Sequence, residues 1–590
     1  MPAMTRSAIE VPAAERSTAA RGARLIAFVL FAVLSYSFCT NGFSIVPDIL
    51  YRSHGADPES LVVGRLIESE SNGLTGNTGF LIHRGYSETY RDFRTGQRPI
   101  AMTQTYTGQV GLQGWILSAI DLPMYKAGIA APVRLVLLRS LAAMALAAIL
   151  CIWVYLIALE FGAGAGLTAG FMILYSPWLT VFADNLYWVP CTWFLPVVLA
   201  WYWTIYRPDL FAASPMRFYL LHGIAVVAKA LCGFEYIPAV LGASGAAFLY
   251  GISRSGWNRR TLVRLVAFGA AAVAAILVAV AVQLLMLALH TGSLANAITD
   301  FVERINYRAV GDGQLPPELA ASLAVPLGKI LATYLHDSPA LNIPGLRTYT
   351  ALEALVTWSV ALAVAMLYMD ARDRSIRRTL APFLLVVISV VASFSWHVVA
   401  RGHSYVHTFL NYVLWFVPAL IVVPAVAVGM FSKAFLNPGM APLRAIVAVL
   451  FLGLSWTIYW TDAARHAAFA SGLVKRSNMV AGQRMTLRFT DSAIDGTFNC
   501  DSFDLTRPFF MRLDANPKSG ETTSQPGGVV QKFTFRSNAT STELNELRYG
   551  QCAFRFQNGT LVPHVVVGQF SDDSGLEVAW EEGFWRPAAH

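Results

Sequence analysis

Eleven apolar stretches, most of them near the roughly 20 residues with which an α-helix crosses about 30 Å of hydrocarbon, constrain this chain more than any other feature. They run at about 25–43, 133–158, 162–183, 190–205, 216–232, 236–252, 262–290, 349–369, 379–396, 409–430 and 443–461. Lipid is therefore the expected solvent for most of its surface. Charged residues make up 14% of the chain, against about 25% in soluble domains. That deficit excludes a soluble enzyme with a membrane tail, a disordered chain and a coiled-coil rod. The formal net charge of +8 does not point to nucleic acid, since no basic run with interleaved aromatics occurs. Lys and Arg fall instead in short loops between the apolar runs, where they set orientation.

Residues 1–24 are polar and carry Arg6, Arg16, Arg21 and Arg24 just before the first run. No A-x-A-like cleavage site follows closely, so this run is expected to remain as a first transmembrane helix with a cytoplasmic N-terminus. Alternation then puts Arg254–Arg260, Asp370–Arg378 and Lys433 in the cytoplasm, in keeping with the positive-inside rule. Three segments fall outside: a first loop at 44–132, a second at 291–348, and a tail at 462–590. The tail is polar, with Gly, Asn and Asp punctuation and alternating runs such as Val529–Phe535 and Val565–Val567, which read as β-strands. Cys500 and Cys552 lie in it and could pair in an oxidising compartment. Cys39, Cys151, Cys191 and Cys232 lie in or beside helices and read as small packing residues. The expectation is a mainly α, polytopic protein of about eleven transmembrane helices at 25–461, with interfacial amphipathic helices and a C-terminal β-sandwich-like periplasmic domain at 462–590. Ala-rich helices and short loops point to a bacterial inner membrane.

Ionisable groups are costly at membrane depth, so those near the external helix ends carry the functional information. In the first loop, Asp57-Pro58-Glu59 precedes an amphipathic stretch from Ser60 to Glu70. Asp57 falls in the N-cap region of that helix; it is either only a cap, or one of the two acids is a general base at the membrane surface. Gln109, Gln113 and Trp115 open an interfacial helix. Asp184, Asn185, Tyr187 and Trp188 form a short connection that reads either as an aromatic belt or as part of a site. Lys229 and Glu235 sit at one membrane face, where they pair with each other or with a ligand. Arg401, His403, Tyr405 and His407 lie between apolar flanks near Trp396, His397 and Asn411. Arg matches phosphate oxygens bidentately. The second loop adds Glu303, Arg304, Arg308 and Asp312 without further pattern.

In layout over about 25–461, the chain resembles the membrane glycosyltransferases of the type C fold, which use polyprenyl-phosphate-linked sugar donors. In that family a first helix precedes a long external loop with an acidic motif, followed by interfacial helices and a bundle. Asp57-Pro58-Glu59 stands where that motif stands, and Gln109-Val-Gly-Leu-Gln113-Gly resembles the interfacial region. Pro58 departs from the commoner Asp-Glu pair, so either acid can be the active one. The β-rich tail is similar to carbohydrate-binding modules of some members. The resemblance implies inverting transfer of a sugar from a polyprenyl-phosphate donor to a glycan or lipid acceptor at the outer face. Asp57 or Glu59 would be the base, and Arg401, His403, His407 and Lys229 would hold the donor phosphate. Tyr405, Glu235, Asn185, Tyr187, Trp188, Gln109 and Gln113 would contact substrate. Some members use a divalent metal at the acidic motif; the sequence leaves that open. No nucleotide site is visible, neither GxGxxG after a strand nor a Walker loop.

Two other functions fit the same layout. A transporter or flippase of lipid-linked saccharides predicts inverted repeats and broken helices with polar residues near mid-membrane, and no repeat is visible. A polymerase or ligase moving whole oligosaccharides would share the external face and the phosphate site. A structural anchor for the tail is the weakest fit, because one helix suffices to anchor.

Overall fold

The computed structural model describes residues 13–46, 51, 55–76, 78–83, 86–96, 104–254, 256–309, 326–336, 339–343, 347–373, 376–401, 404 and 408–435, with short strands between 487 and 579. The fold is mainly helical. Among the described residues, six helices are long and apolar enough to cross a membrane, or seven if one bent pair is a single span. The expected run at 443–461, both cysteines of the expected disulfide (Cys500 and Cys552), and His403, Tyr405 and His407 lie outside the described residues.

The first long helix is α1 (Ala13–Thr40). The first loop is built from α2 (Ala56–Asn72), α3 (Tyr86–Thr95) and α4 (Leu112–Lys126), joined by the two-residue strands β1 (Leu81–Ile82) and β2 (Gln104–Thr105), which pair antiparallel. The bundle continues with α5 (Ala131–Phe161), α6 (Ala163–Leu174), α7 (Pro177–Ala183), α8 (Cys191–Trp201), α9 (Pro208–Ala213), α10 (Pro215–Cys232), α11 (Ile237–Ser253) and α12 (Arg259–Thr291). After α13 (Leu294–Ala309) and α14 (Leu327–His336), strands β3 (Pro339–Ile343) and β4 (Arg347–Thr350) form a hairpin. The described bundle closes with α15 (Ala351–Asp373), α16 (Ile376–Val399), α17 (Thr408–Asn411) and α18 (Ala419–Phe435). In the tail, strand 528–535 pairs antiparallel with strands at 487–489, 523–525 and 575–579, and the last of these pairs with 567–571.

Local chemistry explains where these helices start and stop. Asn258 caps α12 by accepting from the Thr261 amide at 2.9 Å. Ser176 caps α7 by accepting from the Leu179 amide at 3.0 Å, with Pro177 in its first turn. Because Pro177 has no amide to donate, the ladder breaks there, and α6 and α7 meet at a 65° bend. The run expected as one helix at 162–183 is thus two.

Bundle packing divides the helices into inner and outer. In the apolar 18-residue stretch of the span Tyr412–Ser432, 94% of the residues are buried, against 22% in the corresponding stretches of Ala20–Thr40 and Arg259–Thr291. The outer helices turn Leu25, Phe28, Val263, Val266 and Leu277 outward, as a lipid-facing surface requires. Trp153, Trp178, Trp193, Trp201 and Trp415 fill the interior. Small residues bring helices close where no hydrophobic drive exists between them: a Cβ on Gly242 of α11 would lie 2.7 Å from that of Ala392 on α16.

Candidate functional site

One end of the bundle gathers the start of α2, the first turns of α5, the 184–190 connection and the 233–236 connection. Gly55, at φ +68°, turns the chain into α2. Asp57 sits in the first turn, exposed, and its carboxylate makes no hydrogen bond among the described residues. It is therefore not a cap; the residue in the cap position is Gly55, and the expectation of a capping Asp57 is corrected. Glu59 lies two residues on, about 200° round the helix, and faces inward.

Glu59 is 1% exposed. Its carboxylate accepts from Arg139 Nε at 3.1 Å and Arg139 Nη2 at 2.5 Å. It also accepts from the Leu186 amide at 3.1 Å and from the Tyr90 hydroxyl. With four donors its lone pairs are occupied, so it fastens α2, α3, α5 and the 184–190 connection together. Asp184 lies beside it. Burial first, then the neighbouring Glu59, push the Asp184 carboxyl up to about 7, against the opposing pull of Arg139. Burial and the same Glu59 charge raise the Tyr90 hydroxyl.

A second cation, this one buried, anchors the same loop. Arg134 of α5 reaches Glu70 of α2 at 2.5 Å and Asp121 of α4 at 2.8 Å, with the Phe93 and Tyr125 rings each 5.1 Å from its guanidinium carbon. Neither Arg134 nor Arg139 was anticipated as functional. The available signal was two arginines inside the otherwise apolar run at 133–158.

Most sequence-derived candidates converge, but as a packed network. Asn185 Nδ2 donates to the Gly55 carbonyl at 3.1 Å, and its Oδ1 accepts from the amides of Tyr187 and Trp188 at 3.0 and 3.2 Å. Gln109 Nε2 donates to the Tyr187 hydroxyl at 3.0 Å and to Glu235. Gln113 Nε2 donates to the carbonyls of Tyr187 at 2.6 Å and Cys232 at 2.9 Å. Lys229 Nζ donates to the Gly233 carbonyl at 2.5 Å. All of these side chains are buried. The alternative of an aromatic belt at Tyr187 and Trp188 is corrected: belt rings face the lipid boundary, whereas Trp188 stacks on Tyr236 at 5.6 Å between centroids. Tyr236 in turn meets Trp396 edge-on at 5.5 Å and donates to the Leu410 carbonyl at 2.8 Å. This relay of contacts brings the end of α16, which Arg401 follows, to the same end of the bundle as Gly55. Arg401 itself is half-buried.

A metal at the acidic motif does not fit these residues, because Glu59 is saturated by its four donors. Among the described residues no three His, Cys, Asp or Glu side chains lie close enough together to hold an ion. Among the described residues of this motif, the surface offers the exposed Asp57 carboxylate beside a hydrogen-bonded polar floor. We found no protein-family model, characterised protein or solved structure that matches this chain.

Proposed function

We propose that the protein is an inverting glycosyltransferase that takes a sugar from a polyprenyl-phosphate donor and places it on a glycan or lipid acceptor at the outer face of the membrane. The observation that carries this reading is the division of labour within Asp57-Pro58-Glu59. Glu59 is held by Arg139, Tyr90 and Leu186, while Asp57 is exposed and unengaged at the helix start. Asp57 is the base in this proposal. It takes the acceptor hydroxyl's proton as the oxygen bonds to the anomeric carbon, and the bond from that carbon to the lipid phosphate breaks with inversion. Arg401 offsets the charge that develops on the departing phosphate; Lys229, already committed to the Gly233 carbonyl, supports the floor. His403 and His407 complete the phosphate site in this reading, and Tyr405 the sugar site. About eleven spans, an external first loop and a periplasmic β-sandwich that contacts glycan belong to the same proposal.

The test is sugar transfer from a polyprenyl-phosphate donor, read as new glycosidic product in reconstituted protein. Asp57→Asn should lower the rate by about 100-fold or more, the scale of general-base catalysis, without moving the unfolding temperature. Full activity in that variant would end the proposal. A second reading, a transporter of lipid-linked saccharide, is favoured by one observation, the 65° break between α6 and α7. Movement of the saccharide across vesicles with no new glycosidic bond would select it.

A further inference from the structure

Arg65 of α2 has no role in the arrangement above, yet it is among the most deeply enclosed side chains of the molecule, at 1% exposure. Its guanidinium carbon lies 4.0 Å from the ring centroid of Trp115 on α4. Nε and Nη2 are buried without a hydrogen-bond partner, and the guanidinium forms no ion pair among the described residues. Glu68, one turn further along α2, exerts a field on it, but the Glu68 carboxylate accepts from Asn72 Nδ2 at 2.6 Å. Arg134 and Arg139, by contrast, each hold carboxylates. Taking a cation out of water with no carboxylate hydrogen-bonded to it is costly, and the Nε–Nη2 edge of a planar guanidinium matches two oxygens of an oxyanion.

The surroundings say where an anion would enter. The third guanidinium nitrogen, Nη1, which is not among the two sealed donors, lies 3.5 Å from the point a Gly76 side chain would occupy, so the glycine leaves the approach to the guanidinium open at that nitrogen. Leu74, Thr75 and Gly76 are exposed, and their amides donate no hydrogen bond among the described residues. On the other side, α4 presents Ile116 and Ile120 outward, 50% and 37% exposed, the apolar face of a helix lying in the membrane interface. We propose that Arg65, stacked on Trp115 beneath the Gly73–Gly76 turn, is a binding site for a phosphate-type oxyanion at the membrane surface, whether a lipid phosphate or a free phosphate. The site is independent of the transfer reaction, and it stands or falls separately from Asp57 and Arg401.

The experiment uses the full chain with two probes. One is inorganic phosphate added to protein in detergent; the other is nanodiscs of phosphatidylcholine with and without phosphatidic acid. The readouts are the unfolding temperature and amide hydrogen exchange at residues 74–76. At least one probe should raise the unfolding temperature and slow that exchange; a response to phosphatidic acid alone identifies the lipid source, and a response to both admits free phosphate. Arg65→Gln should weaken the response by about tenfold or more, the scale of hydrogen bonds to a charged group, and Arg65→Lys should retain part of it. Arg207→Gln, at an exposed arginine paired with Asp209, should leave it intact. No response from the native chain to either probe overturns the inference even if Arg65→Gln fails to fold, as does an unchanged slowing of exchange at residues 74–76 in Arg65→Gln or its loss in Arg207→Gln.

Discussion

Two carboxylates two positions apart have opposite fates here, and the helix period is the reason. Asp57 and Glu59 project about 200° apart, so one meets solvent and the other meets Arg139. Glu59 is buried but Arg139 is 28% exposed, so breaking the pair leaves a charge that water partly solvates, and the cost is about 1–3 kcal/mol, below that of a fully buried pair. Glu59→Gln is therefore expected to lower stability on that scale, measured by denaturant unfolding, whereas Asp57→Asn should leave stability unchanged. Asp184 gives a pH signature. Its carboxyl is raised to about 7 in the fold from about 3.9 in an unfolded chain, so the folded state holds the proton more tightly between those values. Its contribution to stability is complete below about pH 4 and is lost as pH rises through about 7. The unfolding temperature of the native protein should fall more steeply across that window than that of Asp184→Asn. Equal slopes would show that another group sets the dependence.

At the level of elements, the first loop is held to the bundle by close backbone approach as much as by charge. Gly79 donates to the Val110 carbonyl at 2.8 Å, and a Cβ on Gly114 would overlap the Gly79 carbonyl oxygen. Gly114→Ala is accordingly expected to lift α4 from β1 and expose the loop between residues 73 and 111 to protease, while Gly269→Ala in α12, with open space around it and ordinary helical backbone, should not. Indistinguishable digestion of the two variants would show that the approach is not needed. Capping behaves more simply. Ser176→Ala removes one acceptor at the α6–α7 bend and should cost about 1 kcal/mol, readable by thermal unfolding. The interfacial helix was legible from Trp115 and its apolar neighbours, but the glycine contacts that seat it were not, because they pair residues 79 and 114 through space.

For the whole molecule, the two ends of the bundle carry different chemistry. At one end lie Asp57, Glu59, Asp184 and Glu235; at the other, Arg254 pairs with Glu160 at 2.9 Å at the far terminus of α5. If the first end faces outward, an impermeant maleimide should label Asp57→Cys on intact cells and Arg254→Cys only after the membrane is opened, with the native chain as the blank. The reverse pattern would invert the topology. Hydrophobic run length and the placement of Arg and Lys determined that this is a membrane protein with many helices, because both are one-dimensional properties that lipid reads directly. They also drew attention to Asp57, Gln109, Asn185, Glu235 and Arg401 as polar exceptions at apolar boundaries. Which of these are engaged and which stand open was decided only in three dimensions. Glu59 meets an arginine 80 positions away, Arg65 meets a tryptophan and, among the described residues, forms no ion pair, and a side chain's charge environment depends on neighbours that the order of residues does not name.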